Sequence, residues 1–255
     1  GYESMYSAAV NASYNTCVGL YSGRLVSGSH NTFLGYAAGY SGVSGTQNVY
    51  VGNRAGQLRT AGTNCTFIGS HSGYAAGTGD NNTGVGRRAG YTLTTGYANT
   101  MLGQGAGEPM TTGYANTFVG LDAGNNVTSG NNNTCLGNGS VTPSNSSTNT
   151  IVLGNSSITS LQCAQTTISG LSDKRDKTNI KDSEYGLNII DSLRPVTFDW
   201  NQREGGREGL KDLGFIAQDL QKVDDKHLNL VNDENPEKLL AAYGRLIPVL
   251  VKSIQ

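Results

Sequence analysis

The sequence predicts a mainly β protein, in which a trimeric rod of 17-residue β-solenoid or β-roll coils precedes a small α+β domain. Three observations support this fold class: a step in charge content, a long glycine periodicity, and two apolar ladders within the repeat. The chain has 255 residues, of which 36 are glycine and 15% are charged. Ordinary globular proteins contain roughly 7% glycine and roughly 25% charged residues.

The step in charge content predicts a domain boundary. Residues 1–170 contain 9 charged residues and 30 glycines, whereas residues 171–255 contain 28 charged residues and 6 glycines. We therefore expect a Gly/Asn/Thr-rich rod over residues 1–170 and an ordinary charged domain over residues 171–255.

A glycine recurs at a nearly constant interval through the predicted rod. Successive members are separated by 16 residues once and then by 17 residues seven times, and two further glycines follow at fixed positions in most repeats. A unit of this length suits one β-solenoid coil, with Asn-Thr-apolar-apolar as a short strand and the glycines at turns with positive φ. The recurring glycines are Gly19, Gly35, Gly52, Gly69, Gly86, Gly103, Gly120, Gly137 and Gly154.

Two apolar ladders predict that the rod is an oligomer. The residue before each repeat glycine is aliphatic, and the residue before that is apolar in every repeat except the one with Gly84. Neighbouring strand residues point to opposite faces, so one ladder fills the coil and the other needs a partner surface. A parallel homotrimer is the expected assembly; the alternative is a monomeric solenoid whose second face packs under its own turns.

Asparagine and threonine also recur beside and within the predicted strand. Seven asparagines between Asn15 and Asn133 share one register, which predicts a hydrogen-bonded ladder along the stack. The strand threonines share a face with the aliphatic ladder, which argues for their burial and against an exposed ice-binding surface.

Composition argues against several classes of partner and site. A net charge of −1 does not favour binding to nucleic-acid phosphates, and no apolar run reaches the roughly 20 residues of a membrane span. The four cysteines show no CxxC spacing and the three histidines are isolated, so no metal or other cofactor is expected. Buried free thiols fit assembly in a reducing cytoplasm.

The second domain is predicted to alternate short helices and strands. Helical spacing extends over residues 187–193, and a strand with Phe198 and Trp200 is expected to lead to a hairpin tip at Gly205-Gly206.

Two more elements are expected nearer its C-terminus. Phe215-Ile216 is predicted as a strand before a short helix that ends at Leu220. Residues 239–255 are predicted as an amphipathic helix, which reaches Gln255 without a cap and is therefore expected to be cut short.

Four segments of this domain carry a family resemblance. In order, they resemble the intramolecular chaperone domain of phage endosialidases and tail fibres, a self-cleaving peptidase domain that is also found in myelin regulatory factor. The segments are S-D-K-R-D-K (172–177), L-R-P-V-T-F-D-W (193–200), G-F-I-A-Q-D-L (214–220) and L-I-P-V-L-V-K-S-I-Q (246–255).

The resemblance implies a single-turnover serine peptidase with a Ser–Lys dyad. Ser172 is then the nucleophile, Lys177 its general base and Leu171–Ser172 the scissile bond, with Asp173 and Arg175 as orienting or charge-balancing groups. By themselves these residues predict only a turn or a helix N-cap. A lysine acts as a base only if burial or nearby cations lower its pKa from ~10.4 toward ~7–8.

The resemblance also implies a role for the whole chain. It indicates a phage tail-fibre or tailspike segment, folded in the host cytoplasm and carried on the virion, whose chaperone domain aligns three chains and then cuts itself off. A clamp of this kind suits a repeat that can pair out of register by a whole coil. The expected partner of the rod is a host cell-surface receptor, most simply a glycan.

Two other roles stay open at this point. One is a trimeric bacterial surface adhesin with the same chaperone domain. The other is a polysaccharide depolymerase, for which the rod offers Glu108 and Asp122 on successive coils but no recurring pair with glycosidase-like spacing.

Receptor contact is predicted at the variable positions of the coils. Aromatic and arginine side chains are typical of binding surfaces, although tyrosine at a repeat corner also fits simple packing. The candidate residues are Tyr36, Tyr40, His71, Tyr74, Arg87, Arg88 and Tyr91.

Overall fold

A computed structural model describes residues 1–9, 11–75, 77–162, 164, 170, 172–201 and 208–255. They divide into two compact units, Gly1–Asn155 and Ser156–Gln255. The first unit is a parallel β-solenoid and the second contains short helices and strands, which confirms the predicted mainly β fold with a small α+β domain. The trimeric state of the rod stays a prediction. The first unit ends at Asn155, whereas the charge step predicts a rod that extends to residue 170.

Each solenoid coil contributes one three-residue strand to a parallel sheet. In the described part of the chain nine such strands pair in sequence order, and the register places Phe33 beside Tyr50 and Leu34 beside Val51. The strands are β1 (Thr16–Val18), β2 (Thr32–Leu34), β3 (Val49–Val51), β4 (Thr66–Ile68), β5 (Thr83–Val85), β6 (Thr100–Leu102), β7 (Thr117–Val119), β8 (Thr134–Leu136) and β9 (Ile151–Leu153).

The middle residue of each strand points into the coil and forms the core of the rod. Phe33, Tyr50, Phe67 and Phe118 are all 0% exposed, and the rings of Phe33 and Tyr50 stack with centroids 5.1 Å apart. Gly84 interrupts this ladder because the Phe67 ring fills its space: a Cβ at position 84 would lie 2.7 Å from Phe67 Cδ1. The Phe67 ring therefore occupies the volume that a side chain at position 84 would need.

The last residue of each strand points outward, on the face opposite the inward residue, and the alternation predicts this opposition of the two ladders. Val18 is 53% exposed, Leu34 46% and Leu136 38%. The strand threonines lie on the same side of the sheet, because they precede the inward residue. In the single chain this outer ladder is an exposed apolar stripe along the sheet.

The three glycine registers have two different physical causes. Gly52 and Gly56 have φ values of 134° and 56°, as expected for turns that favour glycine. The third set of glycines lies ten residues after the repeat glycine and includes Gly79 and Gly96. For most of this set the expectation of positive φ is wrong. There the coils approach too closely for a side chain, since a Cβ on Gly79 would lie 1.8 Å from the carbonyl oxygen of Gly96.

The predicted asparagine ladder is present. The Asn99 side chain donates from Nδ2 to Asn82 Oδ1 at 3.0 Å and to the carbonyl oxygen of Gly113 at 2.8 Å. Its Oδ1 accepts the backbone N–H of Asn116 at 3.0 Å. Asn99 therefore links the Asn82 side chain of the preceding coil to the backbone of the following one.

The second unit is built from short elements around a small core. Its buried apolar side chains include Leu220, Leu230, Leu246 and Val249. A 3-10 turn (Lys174–Asp176) precedes α1 (Leu187–Ile190), the antiparallel pair β10 (Val196–Asp199) and β11 (Lys211–Gly214), α2 (Ala217–Leu220), the antiparallel pair β12 (Val231–Asn232) and β13 (Leu240–Ala241), a 3-10 turn (Tyr243–Arg245) and α3 (Leu246–Ile254).

Two predicted elements of this unit are wrong. Phe215-Ile216 is not a strand, because the Phe215 N–H donates to Tyr243 Oη at 3.2 Å and Tyr243 Oη donates to the Phe215 carbonyl at 3.0 Å. The helix predicted over residues 239–255 starts only at Leu246, since Leu240–Ala241 pairs with β12. The predicted tip at Gly205-Gly206 lies outside the described residues.

Removal of one ladder side chain should destabilise the rod. Asn99→Ala leaves the buried Asn116 N–H and Gly113 carbonyl without their side-chain partners, so we expect a loss of about 2–4 kcal/mol in unfolding free energy. Asn125→Ala, at an exposed position of the same rod, is the control and should change it by less than about 0.5 kcal/mol. Guanidinium unfolding followed by circular dichroism measures both; equal effects would contradict the ladder's role.

The rod thiols should be unreactive while the rod is folded. Cys17, Cys65 and Cys135 are free, and burial raises the pKa of Cys17 and of Cys135 to about 11. At pH 8 we expect Cys135 to react with a disulfide reagent about 10²-fold more slowly than in the unfolded chain, because the thiolate is the reacting form. A Cys163→Ser background removes the thiol that lies outside the described residues, and fast labelling of folded Cys135 would contradict the expectation.

Candidate functional site

A short turn brings together the two residues of the predicted dyad. Lys177 Nζ lies 2.6 Å from Ser172 Oγ and donates also to the Ser172 carbonyl oxygen at 3.2 Å. Asp173 caps the 3-10 turn Lys174–Asp176 by accepting the Arg175 N–H at 2.8 Å. The turn reverses the chain, so that a lysine five residues after the serine comes back to its side chain.

Asp173 and Arg175 contact one another and not the dyad side chains. Arg175 donates from Nε to Asp173 Oδ1 at 3.0 Å and from Nη2 to Oδ2 at 2.6 Å, a two-point contact. The Arg175 hydrogen bonds hold the pKa of Asp173 below its usual range, so this carboxylate stays ionised. The pair therefore stiffens the turn that positions Lys177, and its predicted orienting role stays a prediction.

Solvent surrounds the dyad in the single chain. Ser172 and Lys177 are both exposed, and a lysine has to be neutral before it can act as a base. The two side chains of the dyad are thus in contact. Burial is one of the two conditions that make a lysine a base, and the described residues do not bury Lys177. Leu171, on the other side of the predicted scissile bond, lies outside them.

A second polar cluster in this unit escaped the sequence analysis. The Tyr185 hydroxyl donates to an Asp225 carboxylate oxygen and lies 3.4 Å from His227 Nδ1, and the hydrogen bond with Asp225 raises the pKa of Tyr185 to about 12. Tyr185 and His227 border a cavity of 810 Å³ that Glu184 and Arg245 also line. No local motif signals the cluster, because Tyr185 and Asp225 are forty residues apart.

The predicted receptor residues form two separate groups on the rod. Tyr36 and Tyr40 surround Tyr21, with ring centroids 6.0 Å and 6.1 Å from its ring. Arg24 donates to the Tyr40 hydroxyl at 3.1 Å and forms an ion pair with Glu3 at 2.7 Å. In this first group the arginine is therefore already paired.

The second group lies two to three coils further along the chain. The rings of Tyr74 and Tyr91 stack with centroids 5.0 Å apart and planes 4° apart. His71 lies 5.3 Å from the Tyr74 ring, and the Arg88 guanidinium lies 4.5 Å from the centre of the Tyr91 ring. Arg87 is exposed beside them.

Another stacked tyrosine pair was not among the predicted residues. Tyr97 and Tyr114 have ring centroids 4.9 Å apart and planes 3° apart, and they are 48% and 40% exposed. Both occur in the sequence Gly-Tyr-Ala-Asn-Thr in consecutive repeats. That repetition was the available signal, since equal positions of successive coils stack.

The two acids considered for a depolymerase lie close together. A Cβ on Gly105 would stand 2.1 Å from Asp122 Oδ1 and 3.6 Å from Glu108 Oε2, so the carboxylates are no further apart than the sum of these distances. Glu108 Oε1 is held by Arg88 Nη2 at 2.8 Å. The depolymerase alternative stays a prediction.

Over the residues that the structure describes, no helix is long and apolar enough to cross a membrane. The same residues include no group of three or more His, Cys, Asp or Glu side chains arranged to hold a metal ion.

The comparison with protein families bears on the second unit. Residues 172–229 match the family described as chaperone of endosialidase, and the match begins at the serine of the dyad. Elements β13 and α3 lie beyond the matched residues. No curated protein and no solved structure matches the chain significantly. The chain thus joins a β-solenoid rod to a region that is similar to the chaperone of endosialidase.

Proposed function

We propose that this chain is a segment of a trimeric phage tail fibre or tailspike whose C-terminal domain aligns three rods and then releases itself by autoproteolysis. The observation that carries the proposal is the 2.6 Å contact between Lys177 Nζ and Ser172 Oγ, at the first residue of the chaperone match. The rod serves attachment to a glycan on the host cell surface, and the assembled fibre belongs to the virion.

Cleavage proceeds by attack of the serine on the bond before it. Ser172 Oγ attacks the carbonyl carbon of Leu171 while neutral Lys177 takes the hydroxyl proton. The C–N bond breaks, Lys177 returns the proton to the departing amine, and Leu171 becomes an ester on Ser172 Oγ. Water hydrolyses the ester to a Leu171 carboxylate and a free Ser172. Nucleophile and target share one chain, so the step gains the effective molarity of an intramolecular reaction.

Assembly supplies the missing condition for this reaction. Lys177 is exposed in the single chain and must lose its proton before it can act as a base. Burial of the turn by neighbouring chains lowers the pKa of a lysine, because desolvation disfavours the charged form. Cleavage therefore waits for correct assembly, which prevents release of the chaperone from an unfolded rod.

Two exposed apolar surfaces support a homotrimer. The outer ladder of the rod is one of them, with Leu34 46% exposed. The other is on α3, where Ile247, Leu250, Val251 and Ile254 are 62%, 46%, 52% and 86% exposed. The α3 residues follow the i, i+3, i+4, i+7 spacing of a helix that packs against another helix. Both stripes belong to every copy, so like surfaces meet when copies of this chain associate in parallel.

The cleavage reaction has a direct test. The full chain should split into residues 1–171 and 172–255, and Ser172→Ala should abolish the split. Lys177→Arg keeps a charged donor but cannot accept a proton at neutral pH, so we expect cleavage at least about 10³-fold slower. Lys181→Ala is the control and should cleave normally. Gel electrophoresis and intact mass measure the products; cleavage that persists in the Ser172 and Lys177 variants would overturn the dyad.

The assembly has a separate test. Analytical ultracentrifugation should find the Ser172→Ala chain as a trimer, and Leu250→Ser/Ile254→Ser should shift it toward monomer because the exposed stripe of α3 is lost. Lys252→Ser, on the same helix, is the control and should remain trimeric. A monomeric parent chain would contradict the homotrimer.

A further inference from the structure

The second tyrosine group of the rod includes a column of basic residues. The backbone N–H groups of Arg54, His71 and Arg88 each donate to a carbonyl oxygen of the preceding coil, at 2.8, 2.9 and 3.0 Å. All three residues adopt the left-handed backbone conformation, with φ of 58°, 58° and 60°. Glycine occupies the equivalent position in two later coils, as Gly105 and Gly139. Three consecutive coils thus place a basic side chain at a position where the other coils have Tyr21, Ala37, Asp122 or glycine.

Two arginines of this region have no acidic partner. Arg24 and Arg88 form ion pairs with Glu3 and Glu108. The salt bridges of the described residues include none to Arg54 or Arg87, the other arginines at the rod surface. Both of these arginines, Arg54 and Arg87, lie close enough to the His71 imidazole to act on its charge.

The positive charge acts on that imidazole, which belongs to His71. Partial burial, and then the neighbouring arginines Arg54, Arg88 and Arg87, hold its pKa below the usual range. A rod that is otherwise poor in charge therefore has one surface region with uncompensated positive charge. Such a surface attracts anions from solution.

The aromatic rings of the region are engaged with one another and with Arg88. Tyr91 stacks on Tyr74 at 5.0 Å and carries the Arg88 guanidinium 4.5 Å from its ring centre. Recognition of a neutral sugar by stacking uses a free aromatic face, and these contacts occupy ring surface that such stacking would need. Hydroxyls and guanidinium groups are hydrogen-bond donors that suit carboxylate and sulfate oxygens.

We propose that this surface, the cationic patch of Arg54, His71, Tyr74, Arg87, Arg88 and Tyr91, binds an acidic glycan that carries carboxylate or sulfate groups. This inference rests on the proposed receptor role of the rod and names the chemistry of the receptor. Arg54 and Arg87 lie two coils apart, about 10 Å along the stack. The ligand therefore has at least two acidic groups at about that separation, and Glu108 and Asp122 repel it from the later coils.

The repeat itself supplies substitutions that should leave the fold intact. Arg54→Gly copies Gly105, and Arg87→Gln copies Gln104, each at the equivalent position of a later coil. The matched control is Arg24→Gln, which copies Gln57 and removes a charge that is already paired outside the patch.

The experiment measures binding of the full chain to three immobilised polysaccharides by biolayer interferometry. The probes are polygalacturonate for carboxylates, dextran sulfate for sulfates and dextran as the neutral polymer. We expect binding to at least one acidic probe and none to dextran. Arg54→Gly/Arg87→Gln should weaken that binding at least about tenfold, and Arg24→Gln should change it less than about twofold.

Each outcome decides the proposal. Binding to polygalacturonate alone identifies carboxylate as the acidic group, and binding to dextran sulfate alone identifies sulfate. Binding that the double variant leaves unchanged, or equal binding to dextran, overturns the acidic-glycan site, while a glycan receptor of another kind remains possible. No binding to any of the three polymers also overturns it. None of these results affects the cleavage and trimer assays, which test the chaperone function alone.

Discussion

The close approach of successive coils is the constraint on which the rod depends. A Cβ on Gly79 would stand 1.8 Å from the Gly96 carbonyl oxygen, and the same crowding recurs up the stack. This approach allows an asparagine such as Asn99 to bond to the backbone at Gly113 and Asn116 on the following side and to the Asn82 side chain on the preceding side. It also places the aromatic side chains of consecutive strands in contact. Glycine content, the asparagine ladder and the core are thus three consequences of one packing distance.

A constraint that is the same in every coil specifies the coil but not its register. A chain displaced by one repeat pairs with nearly the same glycines and asparagines, so the incorrect register loses little local interaction free energy. Arg59 is an exception to this uniformity. Its side chain is 0% exposed and donates to the Gly79 carbonyl oxygen at 2.7 Å. It fits only beside Gly77, because a Cβ at position 77 would lie 2.4 Å from Arg59 Nη1. Features specific to one coil, such as Arg59 and the Gly84–Phe67 contact, are outnumbered by the repeated ones, so register is weakly defined. This gives a physical reason for a chaperone domain attached to this repeat.

Periodic features could be predicted from the sequence and long-range contacts could not. Strand alternation was enough to place Phe33 and Leu34 on opposite faces of the strand, because it depends only on neighbours in the chain. Phe215 was predicted wrongly, since its backbone bonds to the Tyr243 hydroxyl, twenty-eight residues away. In the candidate site the proximity of Ser172 and Lys177 followed from a family resemblance, whereas nothing local pointed to the second polar cluster of that unit.

The same packing constraint determines where the rod can vary. Inward and coil-contacting positions are occupied by glycine, asparagine and the core, so differences between repeats concentrate at outward positions of the turns. Arg54, His71 and Arg88 occupy one such position in three consecutive coils, and their spacing follows from the stacking of the coils. A surface built in this way exists only when each coil lies on its proper neighbour. Accurate register, which we assign to the chaperone domain, is therefore a precondition of any binding surface formed by several coils.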